Sequence, residues 1–156
     1  MPLRLRSLRL VALSFRRLWL PLCLAVVIGI ALWLRINRLT INPFWLDEAY
    51  SAFGADQGYR FIWTILPSYE THPPFYSTIL RSWTLLTSDS ILGFRSLGAV
   101  MGLITLPLIW LAGRELAHAI DRQRSVIALA AIALAAVTPS LVDMGKLVRP
   151  YSLMIF

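Results

Sequence analysis

The chain has little charge and a single cysteine. Charged residues make up 15% of its 156 positions, whereas soluble domains carry about 25%. Apolar residues reach 58%, which excludes a disordered chain because disorder requires low hydrophobicity together with high net charge. One cysteine excludes an internal disulfide and any zinc or iron–sulfur site built from several cysteines. The composition therefore argues against both a disordered chain and a soluble globular domain.

Acidic residues are also scarce, with 8 Asp and Glu against 15 Lys and Arg and a net charge of +7. An excess of basic residues can indicate nucleic-acid binding. Here, however, five arginines crowd the first 17 residues and long uncharged runs follow them. Basic charge beside apolar segments is typical of membrane topology. We therefore expect a basic cytoplasmic leader over residues 1–17 and no nucleic-acid partner.

Three uncharged runs are long enough to cross a membrane. Leu18–Leu34 has 17 residues, and Ser96–Gly113 and Ser125–Val142 have 18 each. These lengths reach the lower end of the roughly 17–25 residues that a spanning helix needs. Pro139 lies near the end of the third run, where a proline is expected to disturb the helix little. No small-residue cleavage site follows the first run, which favours a retained anchor over a secretory signal peptide.

A fourth apolar run begins at Pro150, a residue that suits the first turn of a helix. Its seven residues rise only about 10 Å, so the sequence looks cut within a fourth span. Lys and Arg number five in the leader and three in residues 114–124, but only five across the 61 residues of 35–95. This bias puts the N-terminus and the short loop in the cytoplasm and residues 35–95 outside. The prediction is an all-α, multi-pass protein of the plasma (inner) membrane, with three transmembrane helices and the start of a fourth.

The outer loop, residues 35–95, is longer than connections without a function usually are. It predicts an amphipathic helix lying in the plane of the interface, because six apolar residues share one helical face: Phe75, Tyr76, Ile79, Leu80, Trp83 and Leu86. A second helix is expected from near Asp47 to Gly54–Gly58. Aromatic residues flank these helices and are interpreted as membrane-interface anchors in preference to sugar-stacking residues: Trp33, Phe44, Trp45 and Trp63.

Two short motifs in this loop can also be explained by local structure alone. Adjacent carboxylates, Asp47 and Glu48, would be favoured at a helix N-terminus by the helix dipole. The segment Glu70-Thr71-His72-Pro73-Pro74 could simply begin a helix, with its histidine as a turn residue. Neither motif by itself identifies a functional site.

The order of the motifs along the chain is more specific. An N-in span is followed by Leu46-Asp47-Glu48-Ala49, His72-Pro73-Pro74-Phe75-Tyr76, Phe94-Arg95-Ser96-Leu97 and Arg149-Pro150-Tyr151. This order resembles the start of the GT-C glycosyltransferases that use polyprenyl-phosphate sugars. The most similar branch holds the protein O-mannosyltransferases, the lipid A aminoarabinose transferases and related bacterial cell-envelope enzymes. The resemblance extends from about Leu18 onward and implies that residues 18–156 are the N-terminal portion of a GT-C transmembrane domain.

The resemblance also implies roles for individual residues. Asp47 corresponds to the catalytic carboxylate, with Glu48 beside it. His72 occupies the place of a basic residue near the lipid phosphate, and Arg149 and Tyr151 match an Arg-x-Tyr element that binds the same group. Such residue types suit the chemistry, since a carboxylate can accept the proton of an acceptor hydroxyl and cations stabilise a leaving phosphate.

A divalent metal is the only cofactor that the resemblance suggests. Glu70 lies one residue from the position of a metal-binding carboxylate in some family members. Asp47 and Glu70 would be the ligands of such a metal. Two carboxylates are too few to hold a hard cation, so the lipid phosphate or missing segments of the enzyme would have to complete its shell.

The function implied is transfer of a sugar from a polyprenyl-phosphate donor to a hydroxyl on a lipid, glycan or protein at the outer face of the membrane. These 156 residues alone are expected to be inactive, because most walls of the lipid and acceptor sites would be missing. The alternative is a small non-catalytic membrane protein that acts as a scaffold or binds lipid phosphate. A transporter fragment has less support, since transporters place ionisable groups at the midplane and the three runs contain none.

Overall fold

The part of the chain that the structure describes is built from helices, without a β-strand. The computed structural model describes the backbone of residues 2–68, 70, 72–120 and 123–155, and the side chains from residue 18 onward except those at 152 and 155. The helices in chain order are α1 (Pro2–Ile36), α2 (Leu46–Asp56), α3 (Tyr59–Thr64), a 3-10 turn (Leu66–Ser68), α4 (Pro74–Leu86), α5 (Ile91–Ala119), α6 (Arg124–Val137), α7 (Pro139–Met144) and α8 (Tyr151–Ile155). The expected all-α class is confirmed.

Among the described residues, two helices are long and apolar enough to cross a membrane. They are the segment Leu18–Ile36 of α1 and the whole of α5, whereas α6 is apolar but has only 14 residues. At 1.5 Å per residue, α6 is about 21 Å long, short of a hydrocarbon core of about 30 Å. The predicted third span, residues 125–142, is therefore not confirmed as one spanning helix.

The break after α6 is caused by Pro139. A proline has no N–H group, so the carbonyl oxygen of Ala135, four residues earlier, cannot receive its helical hydrogen bond. The backbone at Thr138 is extended, with φ −61° and ψ 117°, and Pro139 becomes the first residue of α7. The expectation that this proline would disturb the third run little was wrong.

The helices α1, α5 and α6 share an apolar core made largely of small side chains. Its buried members are Ala31, Leu106, Ile132, Ala135 and Ala136. α5 and α6 approach most closely at Gly113, where a Cβ atom would lie 2.9 Å from the Cα of Ala128. Small residues of this kind let two helix backbones pack closely.

The loop helices pack on the N-terminal end of α5 around a second core. Its buried members are Ala52, Ala55, Tyr76, Leu80, Phe94, Leu97 and Val148. The bounds expected for the two loop helices agree with α2 and α4. α4, however, is more than an interface helix, because its polar residues Ser77 and Thr84 are buried as well, and Trp83 Nε1 donates to Ser96 Oγ on α5 at 2.9 Å.

The aromatic residues around the loop divide into two groups. Trp33, Trp45 and Trp63 are exposed, as interface anchors would be. Phe44 instead packs edge-on against Phe94, with ring centroids 5.8 Å apart. Phe44 thus belongs to the core of the loop.

Candidate functional site

The base of the candidate site is a buried ion pair between α2 and α5. Arg95 donates from Nε to Glu48 Oε1 at 3.0 Å and from Nη2 to Glu48 Oε2 at 2.7 Å. Both residues are nearly inaccessible, with 5% of Arg95 and 1% of Glu48 exposed. Such a two-point contact between guanidinium and carboxylate fixes the orientation of both groups.

The remaining donors of Arg95 hold the segment that joins α1 to α2. They reach three backbone carbonyl oxygens, those of Leu39 at 2.7 Å, Asn42 at 2.9 Å and Pro43 at 3.0 Å. The guanidinium carbon also lies 5.5 Å from the ring centroid of Phe44. Because the guanidinium is surrounded by acceptors, its charge is well compensated.

Glu48 likewise has partners from distant parts of the chain. The backbone N–H of Trp45 donates to Oε2 at 3.1 Å, the usual reach of a carboxylate at the third position of a helix. The backbone N–H of Val148 donates to Oε1 at 3.0 Å. Burial by itself would raise the pKa of Glu48, but the hydrogen bonds from Arg95, Val148 and Trp45 and the charge of Arg95 outweigh it and lower that pKa.

The buried carboxylate of Glu48 positions two neighbouring residues, one beside Glu48 itself and one beside its partner Val148. Asp47 precedes Glu48 on α2, and Arg149 follows Val148. Arg149 Nη2 lies 2.9 Å from Asp47 Oδ2, with 11% of the Arg149 side chain and 67% of the Asp47 side chain exposed. An accessible carboxylate on α2 and a largely buried cation just before α8 are thereby joined.

Glu70 and His72 complete the same charged group. His72 Nδ1 lies 2.7 Å from Glu70 Oε1, and Arg149 Nη1 lies 3.8 Å from the same oxygen. Burial would raise the pKa of Glu70, but the hydrogen bonds from His72 and the charges of Arg149 and His72 lower it overall. The ionised Glu70 carboxylate can only accept, so His72 donates the hydrogen bond from Nδ1.

A small cavity of about 10 Å³ lies beside these charges. Its polar lining includes Glu70, His72 and Arg149 together with Tyr76 and Ser77 of α4. Burial raises the pKa of Tyr76 above its ordinary value, although the charge of Arg149 opposes the change. The Tyr76 phenol therefore stays protonated and can donate a hydrogen bond into the site.

The structure brings together four of the residues that the sequence singled out. One chain of contacts links Asp47, Arg149, Glu70 and His72 in that order. Tyr151 is not part of the lining of this cavity, in which Pro150 is the last residue.

Glu48 has a different place from the one expected. It lies beneath the charged group, with both carboxylate oxygens engaged by Arg95 and by backbone N–H groups. We therefore interpret Glu48 as a positioning residue, because a carboxylate held in this way does not touch a substrate.

A metal site at Asp47 and Glu70 has little support in the geometry. Each carboxylate already faces a guanidinium nitrogen of Arg149, so a positive charge lies between them. Among the described residues there is no group of three or more His, Cys, Asp and Glu side chains that could hold a metal ion. A divalent ion would have to displace Arg149 from both carboxylates.

Two further residues were missed by sequence reasoning. The signal for Arg95 was its charge at the start of an otherwise uncharged run, but nothing in the sequence identifies Glu48 as its partner. Tyr76 appeared as one member of an apolar helical face and at the end of the motif that begins with His72, but it was given no role in a site. Its proximity to the charged group depends on how α4 packs against α2.

Comparisons with protein-family models, with curated proteins and with solved structures found no match.

Proposed function

We propose that the chain belongs to a membrane glycosyltransferase of the GT-C type, as the N-terminal portion of its transmembrane domain. The reaction is transfer of a sugar from a polyprenyl phosphate to a hydroxyl on a lipid, glycan or protein. The observation that carries this proposal is the contact between Asp47 and Arg149, with Glu70 and His72 beside them. Residues chosen from separate motifs thus meet in one place.

The proposed chemistry gives a role to the carboxylate of Asp47 and to the groups that can face the phosphate. The acceptor oxygen forms a bond to the anomeric carbon of the sugar and gives up its proton to the Asp47 carboxylate. The bond between that carbon and the phosphate oxygen breaks, and its electron pair leaves with the lipid phosphate. Arg149, His72 and the Tyr76 phenol stabilise the charge that develops on the phosphate.

One N–H group of Arg149 is free for this purpose. Its Nε is buried and has no hydrogen-bond partner among the described residues. The cavity that Arg149 lines is about 10 Å³, so a phosphate oxygen can accept from Nε only if that cavity widens on binding.

An apolar groove supports a lipid donor. It lies between α1 and α6, measures about 460 Å³ and is lined entirely by apolar residues, among them Val27, Ile30, Ala133, Leu134 and Val137. An isoprenoid chain in contact with this groove would replace exposed apolar surface, which is the usual driving force for lipid binding.

The proposed setting is the plasma (inner) membrane. The N-terminus lies in the cytoplasm and the loop helices lie outside, as the distribution of Lys and Arg indicates. α1 and α5 span the bilayer, α6 and α7 together form a third crossing, and a fourth begins at α8. Membrane lipids and the polyprenyl-phosphate sugar are the partners.

A substitution of Asp47 tests the proposal. Asp47→Asn removes the proton acceptor. Sugar transfer from a polyprenyl-phosphate sugar, measured with the polypeptide that the gene encodes, should therefore fall at least about 100-fold. A general base usually contributes an effect of this size. Membrane abundance should not change. The matched control is Asp56→Asn, since Asp56 is also exposed on α2 and lies 3.4 Å from an arginine, Arg81. Full activity of Asp47→Asn would end the catalytic assignment.

The non-catalytic scaffold gives a different result. In that case Asp47→Asn changes nothing, whereas Arg149→Gln weakens binding of polyprenyl phosphate in nanodiscs and Arg81→Gln does not. For the glycosyltransferase, Asp47→Asn abolishes transfer and Arg149→Gln impairs both binding and transfer.

A further inference from the structure

A second buried arginine lies near the end of α1, away from the site already described. Arg35 is 2% exposed and donates to three backbone carbonyl oxygens: from Nη1 to Ala31 at 3.3 Å and Ala136 at 3.2 Å, and from Nη2 to Ala135 at 3.4 Å. All three distances are long for N–H···O bonds, whose mode is about 2.9–3.0 Å.

The contacts with α6 have a clear local cause. The carbonyls of Ala135 and Ala136 belong to the last turn of α6, and Pro139 cannot donate to the first of them. A cation at a helix C-terminus is favoured by the helix dipole, which is equivalent to about half of a negative charge there. Arg35 therefore caps α6 and ties it to α1.

This cap compensates only part of the charge. Arg95 is equally buried, yet it has a carboxylate, three shorter hydrogen bonds and an aromatic ring as partners. Arg35 has no ion pair with any side chain that the structure describes, and its Nε is buried without a hydrogen-bond partner there. Burying a charge without such partners is costly.

A cavity of about 20 Å³ lies against the unpartnered side of Arg35. Its other walls are formed by residues of α5, α6 and α7 and by the turn after α7, mostly apolar or small, including Gly102, Thr105, Leu141 and Gly145. Gly102 faces the guanidinium directly, because a Cβ atom built there would lie 3.0 Å from Nε and 3.6 Å from Cδ of Arg35.

We propose that this cavity binds one small monovalent anion, such as chloride, at Nε of Arg35. A guanidinium stays charged in proteins, so it cannot relieve its burial by losing a proton. A single water needs a cavity of roughly 10–15 Å³, so this cavity of about 20 Å³ has room for one small ion. The bound anion supplies the counter-charge that the described side chains do not provide. The inference is independent of the proposed glycosyltransferase activity.

Thermal unfolding of the detergent-solubilised chain tests the site. Chloride is compared with gluconate, which is too large for the cavity, at equal ionic strength so that screening is constant. An anion that binds only the folded state raises the unfolding midpoint with the logarithm of its concentration. For a chain of this size the expected rise is about 3–6 °C for each tenfold increase in chloride above the dissociation constant.

Three variants assign the effect to the cavity. Gly102→Ala fills it while keeping the charge, and Arg35→Gln removes the charge, so both should lose the response to chloride. Gly29→Ala is the matched control, since a Cβ at Gly29 has nothing within 4 Å, and it should respond like the wild type. Equal midpoints of the wild type in chloride and gluconate would overturn the proposal, as would a full response in Gly102→Ala and Arg35→Gln.

A second measurement does not depend on the variants being folded. Exchange of chloride at the site should broaden the ³⁵Cl NMR line of a chloride solution containing the wild-type chain, and bromide should reverse the broadening by competition. A line width unaffected by the folded protein would mean that the cavity holds water, and the proposal would fail.

Discussion

Among the individual residues, Glu48 connects parts of the chain that lie far apart in the sequence. It neutralises Arg95 and accepts hydrogen bonds from two backbone N–H groups, one just before α2 and one in the turn before α8. Removing one partner of a buried ion pair leaves the other charge uncompensated and typically costs about 3–5 kcal/mol. The same carboxylate also sets the distance between Asp47 and Arg149, so its loss would affect the site as well as stability.

The lowered pKa of Glu48 predicts a dependence of stability on pH. A carboxyl group whose pKa is lower in the folded state than in the unfolded state stabilises the folded state. This stabilisation is complete above the unfolded pKa, near 4.5, and is lost as the pH falls through the folded-state pKa. The free energy of unfolding in micelles, followed by tryptophan fluorescence, should therefore decrease below about pH 4.5. It should decrease less in Glu48→Gln, which is already destabilised by about 3 kcal/mol or more at pH 7.

Glu115→Gln is the control for this experiment, because Glu115 is an exposed residue of α5. It should keep the stability and the pH profile of the wild type. Glu70 contributes a loss of the same sign, since its pKa is also lowered, so some acid sensitivity should remain in Glu48→Gln. Identical pH profiles for the wild type and Glu48→Gln would contradict the prediction.

Residue types and motif order singled out Asp47, Glu70, His72 and Arg149, which the structure brings together, but they did not assign what each one contacts. The sequence places Glu48 beside Asp47 and cannot tell which of the two points inward. That distinction follows from the pairing with Arg95 across 47 positions. Long-range pairs of this kind depend on how helices pack, which local sequence patterns do not contain.

At the level of helices, the apolar runs predicted the positions of α1 and α5, although both helices extend well beyond those runs. Helical periodicity predicted α4. The third run failed because hydropathy does not register backbone hydrogen bonding. Its composition is as apolar as the others, yet Pro139 ends α6 and a new helix begins. The carbonyl oxygens at this break accept hydrogen bonds from Arg35 instead.

The close packing of α5 against α6 gives a prediction about glycine. Gly113→Ala should destabilise the chain, because its Cβ would lie 2.9 Å from the Cα of Ala128 and the helices must move apart. The expected cost is about 1–3 kcal/mol, typical of overpacking. Gly29→Ala meets nothing within 4 Å on α1 and should be neutral or stabilising by up to about 1 kcal/mol, because alanine favours a helix more than glycine does.

Detergent unfolding followed by tryptophan fluorescence would measure both glycine variants. If the two variants had equal stability, the contact between α5 and α6 at Gly113 would not limit their packing.

For the whole molecule, the single cysteine allows the proposed topology to be mapped. In a Cys23→Ser background, Gln57→Cys places a thiol on the exposed end of α2 and Gln123→Cys places one just before α6. In sealed right-side-out vesicles, a membrane-impermeant maleimide should label position 57 and should reach position 123 only after permeabilisation. Labelling of both positions in sealed vesicles would contradict a spanning arrangement, and the reverse pattern would invert the orientation.

The hydrogen bond from Val148 to Glu48 also has a consequence for biosynthesis. Its two ends are 100 positions apart in the sequence, and chains are synthesised at about 5–20 residues per second. Glu48 therefore emerges from the ribosome about 5–20 seconds before its last partner exists. During that interval Oε1 of Glu48 lacks its bond from Val148, even after Arg95 has been synthesised. The loop helices can therefore reach their final arrangement only when the segment before α8 arrives.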